Sequence, residues 1–247
     1  MKKKFVMILL LLVSVFIIAG CKKEESLGRN LTDDEKKILM ERVNSLEFFD
    51  FYGRNFSTSD LTNQEVLHYA FYSNPDAVSF KELKNLVDKT VDFELEPENF
   101  KCFIHDNDDL SSYYFLYNED TGEYDDNLEH ESHGAGGFLS NVYNRYRSSY
   151  NEGDIYTISV YKMFSALKQS TIDERPMFYA TYNDAKNNKN VILNLEEFYN
   201  WESLKLAVEP QEYLDKMDKD KLVTYTYTFK KVGDNYLLTN YEFKKKA

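Results

Sequence analysis

The sequence predicts an α+β protein, in which helices pack on one face of a twisted antiparallel sheet that ends in a C-terminal β-hairpin. Three helix-capping motifs fall within residues 32–82, which predicts a helical first part. From about residue 91 the chain changes to short runs rich in aromatic and β-branched residues, which are typical of strands. Helices and strands do not alternate along the chain, and this disfavours a doubly wound parallel sheet.

The composition limits the classes of partner. The chain has 247 residues, and its 42 acidic and 30 basic side chains give a net charge of −12. An acidic protein is a poor partner for nucleic acid and other polyanions. Two cysteines are too few for a disulfide framework. Glycine and proline are scarce and 16% of the residues are aromatic, so disorder is disfavoured as well.

The N-terminus has the pattern of a secretory signal. Three lysines at 2–4 precede residues 5–20, which carry no charge. A helix of these sixteen residues would span about 24 Å, less than the ~30 Å of a bilayer core. The pattern therefore favours a cleaved signal peptide over a membrane-spanning helix.

The apolar run ends in Ile18, Ala19, Gly20 and Cys21. This segment resembles the lipobox of bacterial lipoproteins that signal peptidase II processes. The resemblance implies a signal peptide at 1–20, lipidation of Cys21, cleavage before it and acylation of the new amino terminus, as by palmitate. Residues 21–30 then form the lipidated cysteine and a polar tether, and the cell membrane is a partner through this anchor on its extracytoplasmic face.

Three capping boxes predict where helices begin. In each, a hydroxyl residue is followed three positions later by glutamate: Thr32–Glu35, Thr62–Glu65 and Ser79–Glu82. Apolar residues recur behind them at helical spacing, so we expect helices near 32–48, 62–72 and 79–90.

The remaining elements are predicted as follows. Residues 31–247 form a single domain, with a helical part at 31–90 and a β-rich part at 91–247; two units with those bounds are the alternative. Strands are expected at 100–105, 111–117, 142–150, 154–164, 177–182 and 191–193, short helices at 196–206 and 210–219, and a polar loop at 183–190. In the last hairpin, 222–231 against 235–245, aromatic residues alternate with threonines, and we expect the aromatic face to cover the helices.

Histidines offer the main candidates for chemistry. His105, His130 and His133 lie in an acidic region and are candidate metal ligands. His130 and His133 are three residues apart, whereas the helical zinc motif needs four, so an acidic solvated loop is favoured and no metal or cofactor is predicted. The glycine-rich segment 133–138 is the loop in which we first look for function. Cys102 is expected to be a buried, inert thiol.

Three further segments resemble uncharacterised lipoproteins of low-GC Gram-positive bacteria. They are the histidine–glycine segment 133–138, the tract 179–187 and the Tyr/Phe-rich terminal hairpin. This resemblance implies no catalytic residue. The sequence therefore favours a non-enzymatic binding or interaction module at the cell envelope, whose ligand the sequence does not identify. The alternative is a metal-dependent hydrolase at the cell surface that uses His105, His130 and His133.

The anchor can be tested by intact-mass spectrometry of the protein in a membrane fraction. We expect a chain that begins at Cys21 and carries the added mass of its acyl groups. An unprocessed, unacylated chain in the soluble extract contradicts the anchor.

Overall fold

The computed structural model describes residues 28–77, 79–103, 112–127, 139–167, 176–194, 199–200, 205–206 and 209–244. Within these residues the α-helices are α1 (Asp33–Ser45), α2 (Asn63–Ser73), α3 (Phe80–Thr90), α4 (Tyr182–Lys186) and α5 (Pro210–Lys216). Short 3-10 helices cover Glu47–Tyr52, Thr58–Asp60 and Lys219–Lys221. The strands are β1 (Phe56–Ser57), β2 (Phe100–Phe103), β3 (Ser112–Asn118), β4 (Glu123–Asn127), β5 (Leu139–Glu152), β6 (Ile155–Leu167), β7 (Pro176–Tyr179), β8 (Val191–Asn194), β9 (Tyr199–Asn200), β10 (Lys205–Leu206), β11 (Thr224–Val232) and β12 (Asn235–Lys244).

The three capping boxes are present at the starts of α1, α2 and α3. At α2, the Thr62 hydroxyl accepts from the amide of Glu65 at 3.2 Å, and the Glu65 carboxylate accepts from the amide of Thr62 at 2.9 Å. These bonds satisfy amides that have no partner within the helix. The predicted helix starts are confirmed, but α1 ends at Ser45 and the chain continues as the 3-10 helix Glu47–Tyr52.

The main sheet has seven strands and is antiparallel, which confirms the α+β class. Its order is β1-β12-β11-β6-β7-β8, and β5 also pairs with β6. Strand β5 pairs along nearly the whole length of β6, whereas β11 pairs with residues 155–161 of β6 and β7 with residues 164–167. Because a strand has two edges, β11 and β7 share the edge of β6 opposite β5. Strand β6 is therefore the centre of the sheet.

The C-terminal hairpin has the predicted alternation. Tyr225, Tyr227 and Phe229 of β11 are buried, and the threonines between them are half-buried. Gly233 turns the chain with a φ of 60°, in the left-handed region that favours glycine. The register between β11 and β12 shifts at Thr228/Phe229, so Thr239 of β12 has no counterpart on β11 and forms a β-bulge.

Clusters of buried apolar side chains lie on both faces of the main sheet. One large cluster of buried apolar side chains joins α1, α2 and α3 to one face, so the aromatic face of the hairpin packs on the helices as expected. Its members include Leu39, Val43, Val66, Leu67, Leu83, Val87, Ile158, Val160, Phe164, Tyr225, Tyr227 and Tyr241. A smaller cluster on the other face joins Leu214 of α5 to Tyr161, Met163 and Phe178.

A second antiparallel sheet consists of β2, β3 and β4. Gly122 lies in the turn between β3 and β4 and has a φ of 72°. Phe100 and Phe115 stack across β2 and β3 with their ring centroids 4.8 Å apart. Phe71 of α2 packs on Phe115 at 4.2 Å, so this sheet extends the same core.

Two local predictions are wrong. Where a helix was expected over 196–206, Tyr199 and Leu206 are paired residues of the two-stranded antiparallel sheet β9–β10. Where a polar loop was expected over 183–190, α4 begins because the Thr181 hydroxyl accepts from the amide of Asp184. The preceding strand, expected to reach residue 182, therefore ends at Tyr179.

The start of the described chain pairs with the end of β5, beside the turn of the β5–β6 hairpin. Arg29 and Asn151 exchange two backbone hydrogen bonds, of 2.9 and 2.8 Å. The Arg29 guanidinium also contacts the Glu35 carboxylate at 2.6 Å. In the part of the chain that the structure describes, there is no helix of the length and apolarity that crossing a membrane requires.

The capping boxes make a direct prediction about stability. We expect Thr62→Ala to lower the free energy of unfolding by about 1 kcal/mol, because the amide of Glu65 loses its acceptor. Thr62→Ser keeps the hydroxyl and should stay close to the wild type. Chemical denaturation followed by circular dichroism measures both, and equal losses in the two variants would contradict the role of the hydroxyl.

Candidate functional site

The side chains singled out from the sequence fall largely outside the described residues. Cys21, His105, His130, His133 and the segment 133–138 all lie there, so their predicted roles stay predictions. The backbone of Cys102 is in β2, as expected, opposite Tyr113 of β3. Within the described ranges, no three His, Cys, Asp or Glu side chains are grouped so that they could hold a metal ion.

The remaining histidine, His68 on α2, is half-buried and packs beside the core. Its ring packs edge-on against Phe48, with the centroids 4.7 Å apart. Burial lowers the pKa of His68 to about 4, so the ring is neutral at physiological pH. These contacts are typical of a histidine with a structural role.

The core contains an ion pair that is fully buried. The ammonium nitrogen Nζ of Lys162 lies 2.5 Å from Oδ2 of Asp50, and neither side chain has any exposed surface. The other carboxylate oxygen, Oδ1, accepts a hydrogen bond from the Tyr241 hydroxyl at 2.6 Å and a longer one from Tyr227 at 3.4 Å. Both oxygens of Asp50 are thus satisfied by named partners, as burial of a charge requires.

Local structure places both charges in the core. On β6, Lys162 alternates with the apolar residues Val160 and Phe164, so the pleat directs all three into the large core cluster. Asp50 lies on the 3-10 helix Glu47–Tyr52. The helix ends at Tyr52, and the residue after it, Gly53, has a left-handed φ of 58°. A Cβ at position 53 would lie only 2.6 Å from the Asn183 side chain.

Aromatic residues complete the surroundings of the pair. The Lys162 ammonium lies 5.6 Å from the ring centre of Tyr225 and 5.3 Å from that of Tyr227, within cation–π range. Burial raises the pKa values of the Tyr227 and Tyr241 hydroxyls well above the usual one, and the Asp50 charge raises them further. Both hydroxyls therefore stay protonated and act as donors to Asp50.

A second carboxyl, that of Glu47, lies at the edge of this centre. Burial raises the pKa of Glu47 to about 7, the positive charge of Lys162 lowers it and the negative charge of Asp50 raises it. Asn144 of β5 donates to Oε1 of Glu47 at 3.4 Å and to Asn44 at 2.9 Å. This carboxyl changes its charge near neutral pH.

On the surface, an open cleft of about 750 Å³ lies between α3 and the edge of the main sheet. A neighbouring cleft of about 730 Å³ extends it toward the start of α3. The two share Lys84 and Asp88, so together they form one furrow along an exposed side of α3, which we call the polar groove. Its lining residues include Ser57, Ser59, Ser79, Lys81, Lys84, Asp88, Asp92, Phe93, Glu94, Glu123 and Thr239.

The groove forms where the edge of β12 is incompletely paired. Strand β1 pairs with Asn240 and Tyr241, and the amide of Asp92 donates to the carbonyl of Leu238 at 2.9 Å. Thr239, the bulged residue, lies between these two contacts. Its carbonyl accepts from the hydroxyls of Ser57 and Thr58, each at 3.4 Å.

The groove offers unused hydrogen-bond acceptors. Lys84 and Asp88 are one turn apart on α3 and form an exposed ion pair at 3.2 Å. Asp92 and Glu94 are exposed, and within the described ranges their carboxylates have neither a hydrogen bond nor an ion pair. At this end of the groove, three carboxylates therefore face one ammonium.

Sequence analysis missed both the buried centre and the groove. Two patterns in the sequence could have indicated buried charge. One is the lysine in the otherwise apolar alternation at 158–164, and the other is the aspartate between two phenylalanines at 49–51. No comparable signal marks the groove, because it depends on how α3 and residues 91–94 meet the edge of the sheet.

The Glu47 carboxyl makes stability depend on pH. A carboxyl whose pKa rises from 4.5 to about 7 on folding binds its proton more tightly in the folded state, so the free energy of unfolding falls as pH rises through that window. We expect Glu47→Gln to be more stable than the wild type by about 2 kcal/mol at pH ~8 and to match it at pH ~4.

Denaturation curves of the two proteins across this pH range test the expectation. Their difference cancels the contribution of His68, which both contain. A difference that does not change with pH would show that Glu47 does not titrate in the folded protein as described.

Comparisons with known proteins identify no family for this chain. The chain matches no protein-family model, no curated protein and no solved structure.

Proposed function

We propose that this chain is a lipid-anchored extracytoplasmic protein that binds a hydroxyl-rich ligand, neutral or bearing an amine, in the polar groove. The location rests on the lipobox at 18–21 and on the polar tether that follows it. The observation that supports binding is the groove itself, an open furrow of hydroxyl and carboxylate groups along α3.

The chemistry of the lining favours this class of ligand. Carboxylates accept hydrogen bonds, and serine and threonine hydroxyls both donate and accept them, which suits ligands with many hydroxyl groups. Phe93 adds an aromatic side chain of the kind on which a sugar ring stacks. The excess of carboxylates over Lys84 disfavours anionic ligands and favours a ligand amine.

Two exposed carboxylates of the groove can bind a ligand directly. Asp92 and Glu94 lie exposed at the groove, and no described side chain has to be displaced before a ligand hydroxyl reaches them. A ligand that bonds to both gains charge-assisted hydrogen bonds, which are stronger than neutral ones. The openness of the groove to solvent suits a linear oligosaccharide rather than an enclosed small molecule.

Binding can be tested by saturation-transfer NMR with three short oligosaccharides: neutral, amine-bearing and sulfated. We expect saturation of the neutral and amine-bearing probes and none of the sulfated one. Asp92→Asn should weaken binding of the amine-bearing probe by about tenfold, because it removes one charged acceptor.

Asp234→Asn is the matched control, since it makes the same chemical change on the exposed turn of the C-terminal hairpin. It should bind like the wild type. Binding of the sulfated probe alone, or equal effects of the two substitutions, would refute the groove as the binding site.

A further inference from the structure

We infer that Asp50 and Lys162 become joined by an amide bond between their side chains, in a modification that the folded chain carries out on itself. The inference is independent of ligand binding in the polar groove. It rests on the approach of the two groups, on the hydroxyls around the carboxyl and on the absence of exposed surface on either side chain.

The approach of the two groups is the first observation. Nζ lies 2.5 Å from Oδ2, so the two groups are in direct, charge-assisted hydrogen-bond contact. The carbon Cγ of Asp50, at which an amide would form, is one covalent bond beyond Oδ2. Lys162 is fixed on the central strand and Asp50 on a short helix, so the reacting groups are held together without further loss of freedom.

The carboxyl is polarised on the side away from the amine. Oδ1 accepts from the hydroxyl of Tyr241 at 2.6 Å and from that of Tyr227 at 3.4 Å. When an amine adds to Cγ, negative charge develops on the oxygen that stays, and donors placed beforehand at that oxygen stabilise the transition state. Tyr241 thus has the position of an oxyanion-hole donor, and Tyr227 lies farther from the same oxygen.

The surroundings favour the neutral product. Two buried charges lose their hydration, and their attraction only partly offsets that loss. An amide carries no net charge and keeps Oδ1 as an acceptor for the same tyrosines. Because both side chains lack exposed surface, bulk water does not surround the new bond, which slows its hydrolysis.

The step balances without any co-reactant. A proton passes from Nζ to Oδ2 along their hydrogen bond, which leaves an amine and a carboxylic acid. The lone pair of Nζ then forms a bond to Cγ, the bond from Cγ to Oδ2 breaks, and Oδ2 departs as water with that proton and a second one from Nζ. The product is a secondary amide between residues that are 112 positions apart.

Peptide mapping of the purified full-length protein tests the inference directly. Trypsin should release residues 43–54, which contain Asp50, joined to residues 148–168, because an amide at Lys162 blocks cleavage there. The joined species should weigh less than the two separate peptides by one water molecule. Recovery of 43–54 and 148–162 as free peptides would overturn the inference.

Variants test the assigned roles. In Lys162→Met the peptide 43–54 should be free, and its persistence in a joined species would show that the bond involves another residue. Tyr241→Phe should slow bond formation after synthesis by about tenfold or more, because the 2.6 Å donor to Oδ1 is lost.

The control is Tyr236→Phe, on the same strand, whose side chain is also buried but contacts Tyr156 instead of Asp50. It should form the bond at the wild-type rate. Equal rates in Tyr241→Phe and Tyr236→Phe would disprove the role of Tyr241. Because the digest of the wild type decides whether the bond exists, the inference stays testable even if a variant does not fold.

Discussion

The burial of Asp50 with Lys162 is the constraint on which the core depends. A charge without its partner in this place would be very unfavourable, so the helix Glu47–Tyr52 has to dock on the sheet in the one position in which the two meet. Tyr227 and Tyr241 tie β11 and β12 to the same carboxylate. One polar centre therefore orients the helix Glu47–Tyr52, β6 and the β11–β12 hairpin relative to one another. Apolar contacts alone have little directionality and would orient them less strictly.

The groove follows from how the sheet ends at β12. A continuous neighbour along that edge would leave no cleft, but β1 covers two residues and the segment after α3 contributes one bridge. The bulge at Thr239 falls between them. Bulges at edges interrupt pairing and thereby discourage the addition of another strand. The same irregularity keeps hydroxyl and carboxylate groups accessible beside α3.

Much of the fold was predictable because its signals are local. A capping box involves residues three apart, and the alternation of the last hairpin lies within ten residues, so both can be read directly from the sequence. The pair β9–β10 could not be found this way, since its partners override local preference. The buried centre depends on Asp50 and Lys162, 112 positions apart, and the groove on four separate segments. Such sites need the tertiary arrangement.

The backbone pairing of Arg29 with Asn151 limits the reach of the lipid anchor proposed at Cys21. On the proposed anchor, the eight steps along the backbone from Cys21 to Arg29 would span at most about 29 Å. The tip of the β5–β6 hairpin, which Arg29 pairs with, would then lie within about that distance of the lipid headgroups. A protein anchored in this way would meet molecules close to the bilayer surface and not those deep in a thick cell wall.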